Sequence, residues 1–212
     1  MRTASFAYMS YKSNKPLAPK GASSAYKSPP KTHGGYRNLV SYQTTTIIYD
    51  LTVEFVEKYV SKFTRTRDQM VQAARSGRQN IAEGSQASGT SKKTEIKLVG
   101  VARASLEELL ADFEDYLRQN RLKIWPKDSH LAQAVRALAY KSNRSYSTYA
   151  SYLRPPESFA NCLICLIHQA NYLLDKQLAS LQESFIEQGG FTENLFKKRL
   201  QRLSENKSYK SN

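Results

Sequence analysis

The chain has 212 residues, room for one domain plus tails, and 40% of them are hydrophobic, enough for a real core. Its 32 Lys and Arg against 18 Asp and Glu leave a formal charge of +14, which either serves solubility or calls for a polyanion such as nucleic acid or an anionic membrane face. Polar residues interrupt every apolar stretch before the roughly 18 residues a membrane-spanning helix needs, so a cytoplasmic protein with no membrane partner is expected.

Residues 1–36 carry Arg2, Lys12, Lys15, Lys20, Lys27 and Lys31 and no acid. Pro16, Pro19, Pro29 and Pro30 with Gly21, Gly34 and Gly35 break every candidate helix, and the stretch lacks the amphipathic period of an organellar leader. A disordered basic arm is expected, with Tyr8, Tyr11 and Tyr26 available to stack on bases once a partner orders it.

Four long helices follow. Val40, Ile47, Ile48, Leu51, Phe55 and Tyr59 keep helical spacing over about 38–62, although Thr44 to Tyr49 alone favours a strand. Met70, Ala74, Gly77 and Ile81 mark a narrow face of small residues over about 68–83, with Gly84 as a left-handed cap. Ser91 caps a third helix over about 91–120, whose seam is Val99, Ala102, Leu106, Leu109, Phe113 and Tyr116. Trp125-Pro126 breaks the chain before a short helix over 129–141 that presents Leu131, Ala134, Val135 and Leu138. A Tyr-rich insertion over 142–156 leads to the last long helix, 157–188, with Leu163, Ile167, Ala170, Leu174, Leu178, Leu181 and Phe185 in step. Gly189-Gly190 ends it, and a basic helix from Thr192 to about Leu203 frays into a polar tail within 189–212. The expected fold is all-α: an antiparallel up-and-down four-helix bundle with a short helical insertion before the last long helix and a disordered basic N-terminal arm.

The charge is segregated: residues 61–100 hold eight cations against three acids and 121–154 hold seven against one, whereas 155–195 hold one against five. Arg75 and Arg78 flank the seam of the second helix, Lys92 sits among the free amides at the start of the third, and Lys93 and Lys97 share a stripe with Gly100, so all five are candidate phosphate contacts. In the insertion, Tyr140, Tyr146, Tyr149 and Tyr152 interleave with Lys141, Arg144 and Arg154, a composition suited to stacking bases while neutralising phosphates, with Arg144, Tyr146, Tyr149 and Arg154 as the contacts. The competing account buries those rings against the bundle and leaves their hydroxyls wet.

Catalytic machinery is not visible. The phosphate-cradling GxxxxGK loop and the GxSxG elbow are missing, and His33, His130 and His168 stand in unrelated contexts. Cys162, Cys165 and His168 lie three apart on one helix with no second ligand group, so they read as core rather than metal ligands. Glu83 beside Asn80 suits a helix end better than an acid/base pair. No enzyme activity, metal or cofactor is expected.

The stretch DQMVQAARSGRQNIAEGS (Asp68 to Ser85), followed by TSKKTEIKLVGVARASLEELLADFEDYLR (Thr90 to Arg118), resembles the 23S rRNA-intervening-sequence family of four-helix bundle proteins, with NIAEG at Asn80 to Gly84 its most telling piece. FANCLICLIHQANYLLDKQLASLQ (Phe159 to Gln182) looks like the suffix variant that supplies a fourth helix after an insertion. The family includes the accessory variability determinant proteins of diversity-generating retroelements, so the resemblance implies a basic homopentamer that binds RNA or DNA and assists a reverse transcriptase. A structural adaptor that binds another protein, its charge steering an acidic partner, is the alternative.

Overall fold

The computed structural model describes residues 35–141 and 143–208, and every regular element among them is helical. In chain order these are α1 (Val40–Tyr59), α2 (Arg65–Ala87), α3 (Lys92–Gln119), α4 (His130–Leu138), α5 (Pro156–Gln188) and α6 (Phe191–Ser208), with 3-10 turns at Gly35–Asn38 and Tyr146–Tyr152. None is long and apolar enough to cross a membrane. The expected N-terminal arm, with Tyr8, Tyr11 and Tyr26, lies outside the described residues, apart from Gly35 and Tyr36, which open the first 3-10 turn.

The Thr-rich start of α1 is helical because its hydroxyls are satisfied within the helix: Thr44 Oγ1 donates to Val40 O (2.8 Å), and Thr45 and Thr46 Oγ1 both donate to Tyr42 O (2.9 Å). Ser91 and Ser129 cap α3 and α4, each Oγ accepting an amide 3.2 Å away, from Thr94 and Ala132. Gly84 does not end its helix as expected. α2 runs through it to Ala87, because a Cβ on Gly84 would already lie 3.4 Å from Glu95 O and from Leu98 Cβ, so the missing side chain serves close packing against α3 rather than a left-handed cap. α2 also begins a turn earlier than expected, at Arg65.

The helices pack in a cycle, α1 against α2 and α5, α2 against α3, and α3 against α5. At α1–α2, Arg78 stacks on Tyr49 and Arg67 reaches Glu57 at 3.9 Å. At α2–α3, Gly77 faces Leu106 and Gly84 faces Leu98. At α3–α5, Arg103 donates to Asp175 at 2.5 Å and Asn171 to Glu107 at 3.0 Å. At α1–α5, Ser41 donates to Gln177 at 3.0 Å and Phe55 packs on Phe159. Phe55 is also the hub of the core, its ring within 5.3 Å of those of Tyr59, Phe113, Tyr116 and Phe159, mostly edge-to-face.

Phe159 to Ile167 are buried without a break, because the insertion covers the side of α5 that faces away from the other long helices. α4 contributes differently from expectation. Ala132 and Val135 are its buried residues, while Leu131 is half exposed. α6 extends past the expected Leu203, with Leu195, Phe196, Leu200 and Leu203 half exposed.

Two helical glycines separate packing from propensity. A Cβ on Gly77 would fall 2.9 Å from Cδ2 of the fully buried Leu106, whereas one on Gly100 meets nothing within 4 Å. Gly100→Ala is expected to stabilise by about 0.5–1 kcal/mol. For Gly77→Ala that gain is outweighed by overpacking of about 1–3 kcal/mol, a net loss of about 1 kcal/mol. Urea denaturation midpoints of the two variants should move in opposite directions.

Candidate nucleic-acid interface

The cations nominated on α2 and α3 have unlike surroundings. Arg75, Lys93 and Lys97 are exposed and form no ion pair among the described residues. Arg78 is half-buried, its guanidinium 4.4 Å from the centre of the Tyr49 ring and its Nε enclosed, which makes it a packing residue between α1 and α2. Lys92 lies 3.7 Å from the buried Glu95 carboxylate, one turn on in α3, a pairing that holds the start of the helix. Because Gly84 faces Leu98, Lys97 stands nearly level with Gly84, nine residues beyond Arg75 and about 14 Å along the axis. The three exposed cations therefore stand apart on the outer surfaces of α2 and α3 rather than lining one pocket.

Between α2 and α3 the polar side chains close on one another. Ser76 and Ser105 share a hydrogen bond at 2.9 Å, and Asn80 Nδ2 donates to Ser76 O and Oγ at 2.9 and 3.1 Å. Asn80 thus clamps its own helix, and Glu83 stands exposed beside it. Cys162 and Cys165 are buried free thiols whose titration burial pushes up. Among the described residues, no three His, Cys, Asp or Glu converge as metal ligands.

The Tyr-rich insertion corrects the expectation of a stacking platform. Tyr149 is fully buried in the core, so its ring is closed to a base. Tyr152 packs edge-on to Trp125. Tyr146 is partly exposed, but its hydroxyl donates to the Glu54 carboxylate on α1, which also takes Lys58. Arg144 is half-buried and its Nη2 donates to Thr44 at 3.4 Å. Only Arg154 of the four nominated insertion contacts is exposed with no hydrogen bond or ion pair among the described residues. The insertion spends its aromatic residues on covering α1 and α5.

Comparisons with family models, with curated proteins and with solved structures find no match.

A further group of unpaired cations was hidden from the linear reading because three separate segments contribute to it. The loop after α1 supplies Lys62 and the first residue of α2 is Arg65, the turn after α3 supplies Arg121 and Lys123, and the segment before α5 supplies Arg154, all exposed. Tyr59 Oη donating to Leu153 O at 3.5 Å and Asn161 Nδ2 donating to Lys123 O at 2.8 Å tie the three segments to one end of the long helices. The Lys62-Phe63-Thr64-Arg65 run was the available signal, an aromatic residue between cations in a loop.

The Tyr146–Glu54 contact ties the insertion to α1 in a pH-dependent way. The bond to Glu54, and then burial, push the Tyr146 phenol from 10.0 to about 12, so its contribution is fully present below pH 10 and is lost as pH rises through about 12. Burial raises the Glu54 carboxyl, but Lys58 and Tyr146 outweigh it and the net shift is downward from 4.5. On the acid side the contribution is therefore present above pH 4.5 and lost as pH falls through the lowered value. The stability difference between the parent chain and Tyr146→Phe is expected to shrink between pH 10 and about 12, measured by denaturant unfolding. A difference that stays constant over that window would contradict the contact.

Proposed function

We propose that this chain is a non-catalytic nucleic-acid-binding accessory protein, held in the cytoplasm, whose α1, α2, α3 and α5 form an antiparallel up-and-down four-helix bundle. The order of the cross-helix contacts supports that topology. Residues 49 and 57 meet 78 and 67, residues 77 and 84 meet 106 and 98, residues 103 and 107 meet 175 and 171, and residues 41 and 55 meet 177 and 159. In each pair one index rises as the other falls.

The observation that carries the function is the exposure of Arg75, Lys93 and Lys97 without carboxylate partners among the described residues. Unpaired cations on a rigid surface neutralise phosphates at little reorganisation cost and draw in a polyanion over a long range. The sequence resemblance to the 23S rRNA-intervening-sequence family extends the proposal. The chain would act as a homo-oligomer, a pentamer, that presents RNA or DNA to a reverse transcriptase.

A protein-binding adaptor is the second reading, favoured by the apolar residues left half or more exposed late in α5 and on α6: Ile186, Phe191, Leu195 and Phe196. Fluorescence anisotropy with labelled RNA and DNA at rising salt separates the two. Binding is expected to weaken linearly in log affinity against log salt, and replacing Arg75, Lys93 and Lys97 by Gln should reduce that slope by about 0.7 per lost contact on a single strand. Absence of binding at low salt would leave the adaptor standing. Light scattering in solution measures the proposed pentamer directly.

A further inference from the structure

Phe63 is 99% exposed, the most solvent-accessible large apolar side chain in the described structure. A single exposed apolar residue calls for no explanation. Here, however, the local backbone holds the ring outward. Phe63 N–H donates to Ser61 Oγ at 3.3 Å, while Thr64 donates to Ser61 O through both its amide (3.3 Å) and its hydroxyl (3.0 Å). These bonds close a tight Ser-initiated turn between the last amide bond of α1, Val60 N–H to Val56 O, and the start of α2.

The charges beside this turn are uneven. Glu57 is drawn to Arg67 at 3.9 Å, Asp115 to Arg118 at 2.6 Å, and Glu157 accepts the Lys123 amide at 3.1 Å. Asp68, in the first turn of α2, and Glu114, half-buried on α3, are further acids of this end, and Glu54, held by Lys58 and Tyr146, also feels the charge of Arg154. The side chains of Lys62, Arg65, Arg121, Lys123 and Arg154 form no ion pair among the described residues. Arg121 is itself unusual. It follows the end of α3 with φ at 56°, where Leu122 N–H closes back on Leu117 O, a left-handed position that glycine adopts without strain. A long cationic side chain stands there despite that cost.

We propose that this end of the helices is a single-stranded nucleic-acid site, in which Phe63 stacks an unpaired base and Lys62, Arg65, Arg121 and Lys123 hold the flanking phosphates. A projecting aromatic ring between cations recognises a base whose face is free, which a duplex does not offer. The inference rests on the nucleic-acid binding proposed above and adds the class of strand.

The test titrates the full chain with a labelled oligouridine and with a hairpin duplex of equal phosphate number. Phe63→Ala removes a fully exposed ring, so the fold should survive, as circular dichroism would show. Single-strand affinity should fall at least about fivefold while duplex affinity stays put, and Phe63→Trp should restore it. Arg121→Gly should leave the unfolding midpoint unchanged or raised and still weaken single-strand binding. A halogenated oligouridine should photocrosslink to the peptide containing Phe63. If both ligands bind and depend on Arg75, Lys93 and Lys97 but Phe63→Ala changes neither, or weakens both equally, this site is wrong and the general reading stands. If the parent chain binds neither ligand, both are wrong.

Discussion

The closeness of α2 to α3 constrains everything else in the molecule. Gly77 and Gly84 lie seven residues apart, two turns along one face, and at each the backbone of α2 comes so near α3 that a side chain would touch Leu106 or the Glu95 carbonyl. Such an approach fixes the axial register of the two helices, because any slide would push a larger residue into the crossing. The register brings Ser76 to Ser105 and sets Leu98 beside Gly84. The Arg103–Asp175 and Asn171–Glu107 contacts then carry it on to α5, and the aromatic hub around Phe55 closes the cycle through α1.

The segment between α3 and α5 completes a core that the long helices leave open. With α4 on one side and the 3-10 turn at Tyr146–Tyr152 on the other, the first half of α5 is buried all round, which is why Phe159 to Ile167 is almost wholly apolar. Tyr149 fills that core, Tyr152 meets Trp125 and Tyr146 reaches Glu54. A tyrosine has a large apolar body and one polar tip, so it can cover a helix, and Tyr146 satisfies its hydroxyl at the edge. In this segment the same composition that matches a base-stacking surface was used for packing.

Among the described residues the unpaired cations therefore reside in loops and outer helix faces. Arg75, Lys93 and Lys97 stand exposed on α2 and α3, and Lys62, Arg65, Arg121, Lys123 and Arg154 gather at the end of the long helices where α1 turns into α2. The nearby acids are largely occupied, Glu57 by Arg67, Asp115 by Arg118 and Glu157 by a backbone amide. Local pairing of carboxylates thus leaves a cationic surplus where the surface is most accessible, and a polyanion relieves the self-repulsion it creates.

The sequence by itself determined the helices, the seam of α3 and the cap at Ser91. Those features depend on neighbours three and four residues away, within reach of a periodic pattern. It also located the excess of charge. Periodicity says that a residue faces inward or outward, but not what it meets there. Only the tertiary structure decided that Gly84 is a packing surface rather than a helix stop, that Arg78 is committed to Tyr49, and that Tyr149 lies in the core while Phe63 stands in water. Phe63, Arg121 and Arg154 are far apart in the chain and are brought to one end by helix packing, so no local signal could have grouped them.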